Sequence, residues 1–504
     1  MCWPETGSLS DRRYQAYLAD RYRVLAGYCG VLFRLLGLLI AAPAFLALIY
    51  PGQADMALAF LCPGLGLALL GVVLRLPPGR QNTLSIAEGA AIVVVAWVAA
   101  ILAGAVPFYW AGLGLTQALF EATSGWTTTG LSVLAMDGVS PLLLFFRSLM
   151  QLAGGAGLAI LMLSAINSPA GVGLSTAEGR AEQLVPQVRH SARLVLQLYL
   201  LYVLFGIAAL RWAGMTWFEA VNHTFCAVST GGFSTQTDSI AFWNNPAIEG
   251  VLMVLMILGA TNFLTVYTLG HGRLRAGFRN GELRVLALLL PLAVLLLFGA
   301  VTLTAGNETT EPLRRALFQA VTALSTTGYA TQAQTEWPAF GLLITIMLML
   351  IGGGTGSTAG GIKLHRVFLL AKGLKREVTG VFLPPHLVQE ELFLLGNQRR
   401  FLTDSDLRKT GIYIALYLFT WLVGGCALTA FGHPLADSLF EFASALGTVG
   451  LSVGITSAQA PAGLLWVEIV GMLLGRLEFF VIFWGILKIG RDLAHLLPHR
   501  RPTP

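Results

Sequence analysis

Four short polar runs in this chain carry the residue types that can replace the water around a cation. They read FEATSGWTTTGLS (residues 120–132), FEAVNHTFCAVSTGGFS (218–234), FQAVTALSTTGYAT (318–331) and FEFASALGTVGLS (440–452). Each opens on a phenylalanine followed by an acid or amide and closes on a threonine-glycine run with a bulky residue after it. Glycine permits backbone angles that other residues avoid, so such a run can turn its carbonyls toward one axis. Rings of carbonyls replace the hydration shell of a dehydrated cation. The candidate ligands are Thr128, Thr129 and Gly130; Thr230, Gly231 and Gly232; Thr326, Thr327 and Gly328; and Thr448, Val449 and Gly450.

Thr327-Gly328-Tyr329 and Thr448-Val449-Gly450 echo the Thr-Val-Gly-Tyr-Gly loop of potassium channels, so K+ is the expected ion. The terminal glycines lie 102, 96 and 122 residues apart, which predicts four helix–re-entrant loop–helix units. From leading phenylalanine to glycine is 10 residues in runs one, three and four and 14 in run two, consistent with one extra helical turn there. Small residues also serve close helix packing in membranes, but four aligned copies argue against that reading. Glu121, Glu219 and Glu441 are expected to be N-terminal charges on short helices rather than filter supports. Asp137, Asp238 and Glu336, after the filter runs, are expected to be solvated loop acids more than cation attractors.

The elements that hold these loops follow from composition. Of 504 residues, 55% are hydrophobic and 12% charged, with mean hydropathy +0.71. A folded chain in water cannot hide that much apolar surface, whereas lipid asks for runs of about 20 apolar residues. Spanning helices are predicted near residues 24–50, 56–75, 86–109, 141–166, 194–212, 246–270, 283–304, 338–372, 410–431 and 461–489. With the N-terminus inside, the inner segments collect Arg75, Arg80, Arg180, Arg189, Arg193, Arg273, Arg275, Arg279, Lys372, Lys375, Arg376, Arg399, Arg400, Arg408 and Lys409. The outer segments collect acids, with Arg211, Arg314 and Arg315 as exceptions. This positive-inside pattern puts both termini in the cytoplasm. The first 23 residues predict a cytosolic tail that could include an interfacial helix.

The expected fold class is an all-α membrane protein: four pseudo-symmetric helix–pore-loop–helix repeats around a central pore, plus two extra N-terminal helices. The expected units are residues 1–85 (tail and two helices), 86–190, 191–281, 282–407 and 408–504 (repeats one to four). Five unpaired cysteines suggest neither a disulfide framework nor a zinc site. A charge of +6 is better read as membrane orientation than as nucleic-acid binding. No P-loop and no correctly placed GxGxxG is present, so no nucleotide site is expected in this chain. No nucleophile–base constellation suggests an enzyme, and His223 stands alone.

Two further features interrupt apolar runs. Residues 351–363 read IGGGTGSTAGGIK; so many glycines break a helix, and irregular backbone at membrane depth must line a cavity or protein. Arg476 and Glu478 lie deep in the last apolar run, where charge is costly and functional by default. Two residues apart, they do not face each other on a helix, so each needs another partner. Arg147, nearer a helix end, is expected to snorkel.

With these motifs the chain resembles the Trk/Ktr/HKT superfamily of potassium transporters, and its two extra N-terminal helices resemble the Trk-type transmembrane subunit. The resemblance covers nearly the whole chain. It implies that Gly352, Gly353, Gly354, Thr355, Gly356, Ser357, Thr358, Ala359, Gly360, Gly361 and Lys363 form an intramembrane loop that obstructs the pore below the filter, opposed by Arg476. It implies a homodimer in the bilayer of a bacterial inner membrane, with one pore per subunit, gated by a cytosolic ring of nucleotide-binding subunits. Sodium-preferring plant members carry serine where this chain has Gly130, so Gly130 points to potassium. Ala330 departs from the serine or threonine at the matching place in the other runs. The cytosolic excursion 373–409 is either a docking surface or a plain connection. Ion-coupled symport and a less selective Na+/K+ channel stand as alternatives; symport would call for an intramembrane acid relay, with Glu478 its main candidate.

Overall fold

The computed structural model describes residues 6–75, 84–136, 138–157, 188–272, 280–305, 311–382, 384, 391–395 and 398–496. Asp137, Arg80, Arg180, Arg273, Arg275 and Arg279 lie outside them, as does the 158–166 end of the fourth predicted span. The first helix, α1 (Thr6–Ala41), runs through the expected tail as one element, and α2 (Ala54–Val73) returns along it. Glycines make this hairpin close. A Cβ on Gly37 would sit 2.4 Å from the Gly64 carbonyl, and one on Gly71 would sit 2.5 Å from that of Gly30. This is the small-residue contact by which helices associate in lipid.

Repeat one comprises α3 (Ile86–Trp110), the short α4 (Leu115–Trp126) and α5 (Pro141–Ala156). Repeat two comprises α6 (Val188–Trp212), the short α7 (Trp217–Val228), α8 (Pro246–Ala260) and α9 (Phe263–Gly270). Repeat three has α10 (Gly281–Ala305), the short α11 (Pro312–Leu324), α12 (Ala339–Ile351) and α13 (Leu364–Gly380). Repeat four has α14 (Asp404–Ala430), the short α15 (Leu435–Gly447), α16 (Ala462–Leu477) and α17 (Phe479–Leu496). Among the described residues six helices are long and apolar enough to cross a membrane, or eight spans if each of two bent pairs counts as one.

Those bent pairs correct the expectation of straight helices over 246–270 and 461–489. The α8/α9 pair turns by 110° and the α16/α17 pair by 101°. Asn262 caps the new helix α9, its Oδ1 accepting from the Leu264 amide at 2.9 Å, the usual work of an N-cap side chain. At the second break Glu478 sits in the left-handed region, with φ +57°.

The extra turn expected in run two is also absent: α7 and α4 are each 12 residues long. Phe218 simply sits one turn before the position matched by Phe120. The excursion between α13 and α14 holds a short hairpin, β1 (Leu392–Leu395) with β2 (Gln398–Phe401), in antiparallel register Leu392 to Phe401. Among the described residues the all-α expectation therefore has one small two-stranded exception. Lys372 pairs with Glu391 at 3.3 Å just before that hairpin.

Candidate functional site

Each short helix ends at a filter run, and the four runs share one backbone conformation. Thr128, Thr230, Thr326 and Thr448 take φ of 55°, 52°, 54° and 51°, and the glycines two residues on take 91°, 74°, 88° and 98°. A β-branched residue in the left-handed region is strained, and such strain persists only where surroundings enforce it. The enforcing contacts repeat. The amides of Thr129, Gly231, Thr327 and Val449 donate to Ser124, Cys226, Thr322 and Ser444 carbonyls at 2.8–3.0 Å. In three repeats the glycine amide also donates to a hydroxyl on the short helix: Gly130 to Ser124, Gly328 to Thr322 and Gly450 to Ser444, at 3.0–3.1 Å. Repeat two has Cys226 at that position. With these amides consumed by the helix behind them, the run's carbonyls are left for another partner; that of Gly231 also accepts from Gln151 Nε2 at 2.6 Å. The carbonyl end of each short helix also favours a cation through its dipole.

The runs close into one ring. A Cβ on Gly130 would lie 2.2 Å from the Gly231 carbonyl oxygen, on Gly232 2.0 Å from that of Thr327, on Gly328 1.9 Å from that of Val449, and on Gly450 2.3 Å from that of Thr129. Each repeat's glycine thus meets a carbonyl of the next repeat, in the order one, two, three, four and back to one. Any side chain at these glycines would push a filter carbonyl aside. The filter threonines and Val449 are fully buried.

Behind the ring stands a second set of equivalent residues, nine before each glycine: Glu121, His223, Gln319 and Glu441. Glu121 accepts from the Ser132 hydroxyl and the Val133 amide, both at 2.6 Å. Glu441 accepts from the Ser452 hydroxyl at 2.6 Å and the Val453 amide at 2.9 Å. These two acids are therefore filter supports, contrary to the expectation; both are 0% exposed, where a bare N-terminal charge would not be placed. Glu219 keeps the expected role, in a capping box with Thr216. His223 is not a lone residue, because its Nε2 lies 3.1 Å from the Ser234 hydroxyl, the counterpart of the Glu121–Ser132 bond. In repeat three Gln319 bonds Gln334 at 2.7 Å instead, since Ala330 has no hydroxyl. There Ser239 of repeat two takes over, accepting from the Ala330 amide at 3.2 Å.

Arg147 does not snorkel. It is 2% exposed, lies 3.4 Å from Glu121, donates to Ser132 at 2.9 Å and stacks 3.8 Å over the Phe233 ring. Asp238 and Glu336 are exposed, as expected of solvated loop acids.

The glycine loop lies directly beneath the ring. Its ends are sewn together, with Ile362 and Lys363 amides donating to Leu350 and Ile351 carbonyls at 2.9 and 2.8 Å. Its flank is pinned to the α8/α9 break: Gly354 and Thr358 amides donate to Ala260 and Gly259 carbonyls, Asn262 reaches the Thr355 carbonyl at 2.8 Å, and Glu282 accepts the Thr355 amide at 2.8 Å. Its tip touches three filters. Thr230 donates to the Thr358 hydroxyl at 3.1 Å, the Gly360 amide donates to Thr326 Oγ1 at 2.8 Å, and a Cβ on Gly360 would lie 2.2 Å from Thr448 Oγ1. Lys363 folds back onto the Ala359 carbonyl. Arg476 donates to the Thr358 carbonyl at 2.6 Å and, on the far side, to the Gly154 and Gly155 carbonyls closing α5. A cavity lies beside this contact, lined by Trp97, Thr355, Gly356, Ala359, Arg476 and Glu478 among others. Glu478 has its own partner, Arg366 at 2.8 Å, whose guanidinium covers the Tyr413 ring at 3.7 Å. Both charges of the last apolar run therefore have separate partners, as expected.

Sequence reasoning missed Gln151, the Ser124/Thr322/Ser444 set and the pairing of Arg147. The hydroxyl set was available from aligning the runs on their glycines; Gln151 and Arg147 gave no sequence signal beyond being polar in an apolar helix.

A multi-span helical protein whose four re-entrant units close one ring of backbone carbonyls is a membrane transport protein for cations, not an enzyme. The chain belongs to the TrkH family: that family's model, described as a cation transport protein, matches residues 67–484. It is 30% identical to the Trk system potassium uptake protein TrkH of Salmonella typhimurium over 483 residues, covering 92% of this chain and 97% of that one. It is 29% identical to the Trk system potassium uptake protein TrkG of Escherichia coli, covering 91% and 96%. The crystal structure of the potassium transporter TrkH from Vibrio parahaemolyticus superposes with a TM-score of 0.78 at 27% identity, covering 92% of this chain and 98% of that one.

Proposed function

We propose that this chain takes up potassium through a selective carbonyl-lined pore, with K+ held by the twelve filter residues of the four runs. The observation that carries this reading is the closed ring, in which each of four glycines at positive φ leaves room only for a neighbouring carbonyl. Carbonyl number and field then do the work that water does in solution. The relatives named above are potassium uptake proteins, and their likeness over nearly the full chain supports the same ion here.

In this reading loop 352–363 is the gate. It is stitched to Thr230 and Thr326 from below and held by Arg476, so conduction requires it to leave. The four units are residues 86–190, 191–281, 282–407 and 408–504, preceded by the accessory helices of 1–85. The protein works as a homodimer in a bacterial inner membrane with both termini cytoplasmic, and a cytosolic nucleotide-binding ring acts on its inner face, where the 373–409 excursion with its hairpin offers a docking surface. Glu478, the acid that a symport relay would have needed, is neutralised by Arg366, which favours a passive pore over coupled transport.

The test is K+ and Na+ flux into liposomes holding the purified protein, beside Gly130→Ser. Potassium-selective flux that relaxes in the variant supports the reading. Equal permeation of both ions by the parent, or an unchanged ratio in the variant, sinks it.

A further inference from the structure

The four filters are not equivalent at the residue just before the glycine. Repeats one, three and four place Thr129, Thr327 and Val449 there, and repeat two places Gly231. In repeats one and three the threonine hydroxyl is paired with a hydroxyl two residues back, Thr129 with Thr127 and Thr327 with Ser325, each at 2.7 Å. Gly231 has no such side chain, yet the space is full. A Cβ on Gly231 would lie 2.3 Å from Cδ, 2.4 Å from Oε1 and 2.8 Å from Nε2 of Gln151. Gln151 belongs to α5 of repeat one, one turn after Arg147, and is 0% exposed.

Its carboxamide does more than fill the gap. Nε2 donates to the Gly231 carbonyl at 2.6 Å, and Oε1 accepts from the Phe233 amide at 3.2 Å. The two bonds straddle Gly232 and fix the second filter from behind. The Gly231 oxygen is also the one that Gly130 packs against, so Gln151 holds the junction between filters one and two. A carbonyl already accepting a short hydrogen bond is stiffer and offers a weaker field to an ion than a free one. Selectivity depends on the number, field strength and flexibility of such carbonyls.

We propose that Gln151 is a specificity-determining positioning residue: its carboxamide stands in for the missing side chain of Gly231 and sets the field of that one carbonyl in the ring. The proposal rests on the filter reading above and adds a residue from outside the filter runs. It explains why glycine occupies this place in repeat two, since threonine there would collide with Gln151.

The experiment compares four proteins in liposomes: Gln151→Met, Gln151→Ala, Gly231→Thr, and the double variant Gln151→Ala/Gly231→Thr. Each is read by its K+-to-Na+ flux ratio and by its melting temperature in detergent with K+ or Na+. Gln151→Met keeps the volume but removes both bonds, so a fall of threefold or more in the flux ratio at a near-parental melting temperature is expected. Gly231→Thr is expected to fold poorly or to lose flux. The double variant is expected to recover folding and K+ preference beyond either of its single changes, because it rebuilds the arrangement of Thr129 and Thr327. A parental flux ratio in Gln151→Met overturns the proposal, as does a double variant no better than Gly231→Thr alone. If the parent itself does not distinguish K+ from Na+, or Gly130→Ser leaves its ratio unchanged, the filter reading fails instead; a parent that discriminates while Gln151→Met matches it isolates the failure to Gln151.

Discussion

Replacing Arg476 by alanine should open the pore without changing what passes through it. The guanidinium joins the Thr358 carbonyl of the glycine loop to the Gly154 and Gly155 carbonyls of α5. A hydrogen bond from a charged donor contributes about 1.5–3 kcal/mol net. Counting only two such bonds at the low end, the closed arrangement loses about 3 kcal/mol, because the cavity beside Arg476 lets water replace part of what is lost. About 1.4 kcal/mol is tenfold in an equilibrium constant, so the closed-to-open ratio should fall roughly 100-fold. Arg476→Lys keeps the charge but cannot span both carbonyl sets with one point donor, and should fall between. The assay is basal K+ flux in liposomes holding the purified chain alone, with the K+-to-Na+ ratio recorded for each variant. Basal flux should rise in the order parent, lysine, alanine, at a constant ratio, since no filter contact has been touched. Well-folded Arg476→Ala protein with flux at or below the parental level would refute the claim that this residue holds the loop shut.

Gly328→Ala should abolish K+-selective flux, because its Cβ would lie 1.9 Å from the Val449 carbonyl at φ +88°; retention of parental selectivity would contradict the ring geometry. Arg147→Ala should lower stability by about 3–5 kcal/mol, the usual result of stranding one member of a buried ion pair, read as a lost melting transition in detergent. Pairing it with Glu121→Gln should recover part of that loss, and no recovery would mean that the pair is not the cause. Glu478→Gln should leave the K+-to-Na+ ratio and the response to a pH gradient as in the parent, since its partner Arg366 marks it as structural; loss of a proton-driven component would revive symport.

The membrane class, the four runs and the glycine loop were legible because each is a local pattern: apolar length, a threonine-glycine signature, a glycine cluster. The breaks at residues 261–262 and at Glu478 were not, because a single glycine a few residues before each, Gly259 and Gly475, looks like any packing glycine in a membrane helix. The α8/α9 bend exists because Asn262 caps a new helix and binds the loop at Thr355, a tertiary contact with no local signal. Glu121 and Arg147 were misread for a related reason. Their sequence position suggests a helix start and a helix end, while their role is set by a neighbour 26 residues away. The extra turn inferred in repeat two came from aligning on phenylalanine; aligning on the filter glycine pairs His223 with Glu121 and removes it.

That alignment also separates two kinds of residue. What faces the ring hardly varies: a threonine at positive φ, then a glycine at positive φ, four times over. What stands behind it varies between repeats. The nine-before position is Glu, His, Gln and Glu; Glu121 has Arg147 beside it in repeat one, while Glu441 in repeat four accepts from uncharged donors. In repeat four the single Thr456 hydroxyl lies 2.5 Å from Glu441 and 2.9 Å from Glu468. An ion at the axis feels the nearly invariant inner shell at short range, where geometry decides binding. The outer shell acts through the stiffness it lends, so it can differ between repeats as long as each loop is held. The variation behind the ring is therefore what a single chain with four unlike repeats permits and four identical subunits would not: Arg147, Gln151 and the glycine loop each occur in one repeat only, while the inner shell keeps the regularity that the ion requires.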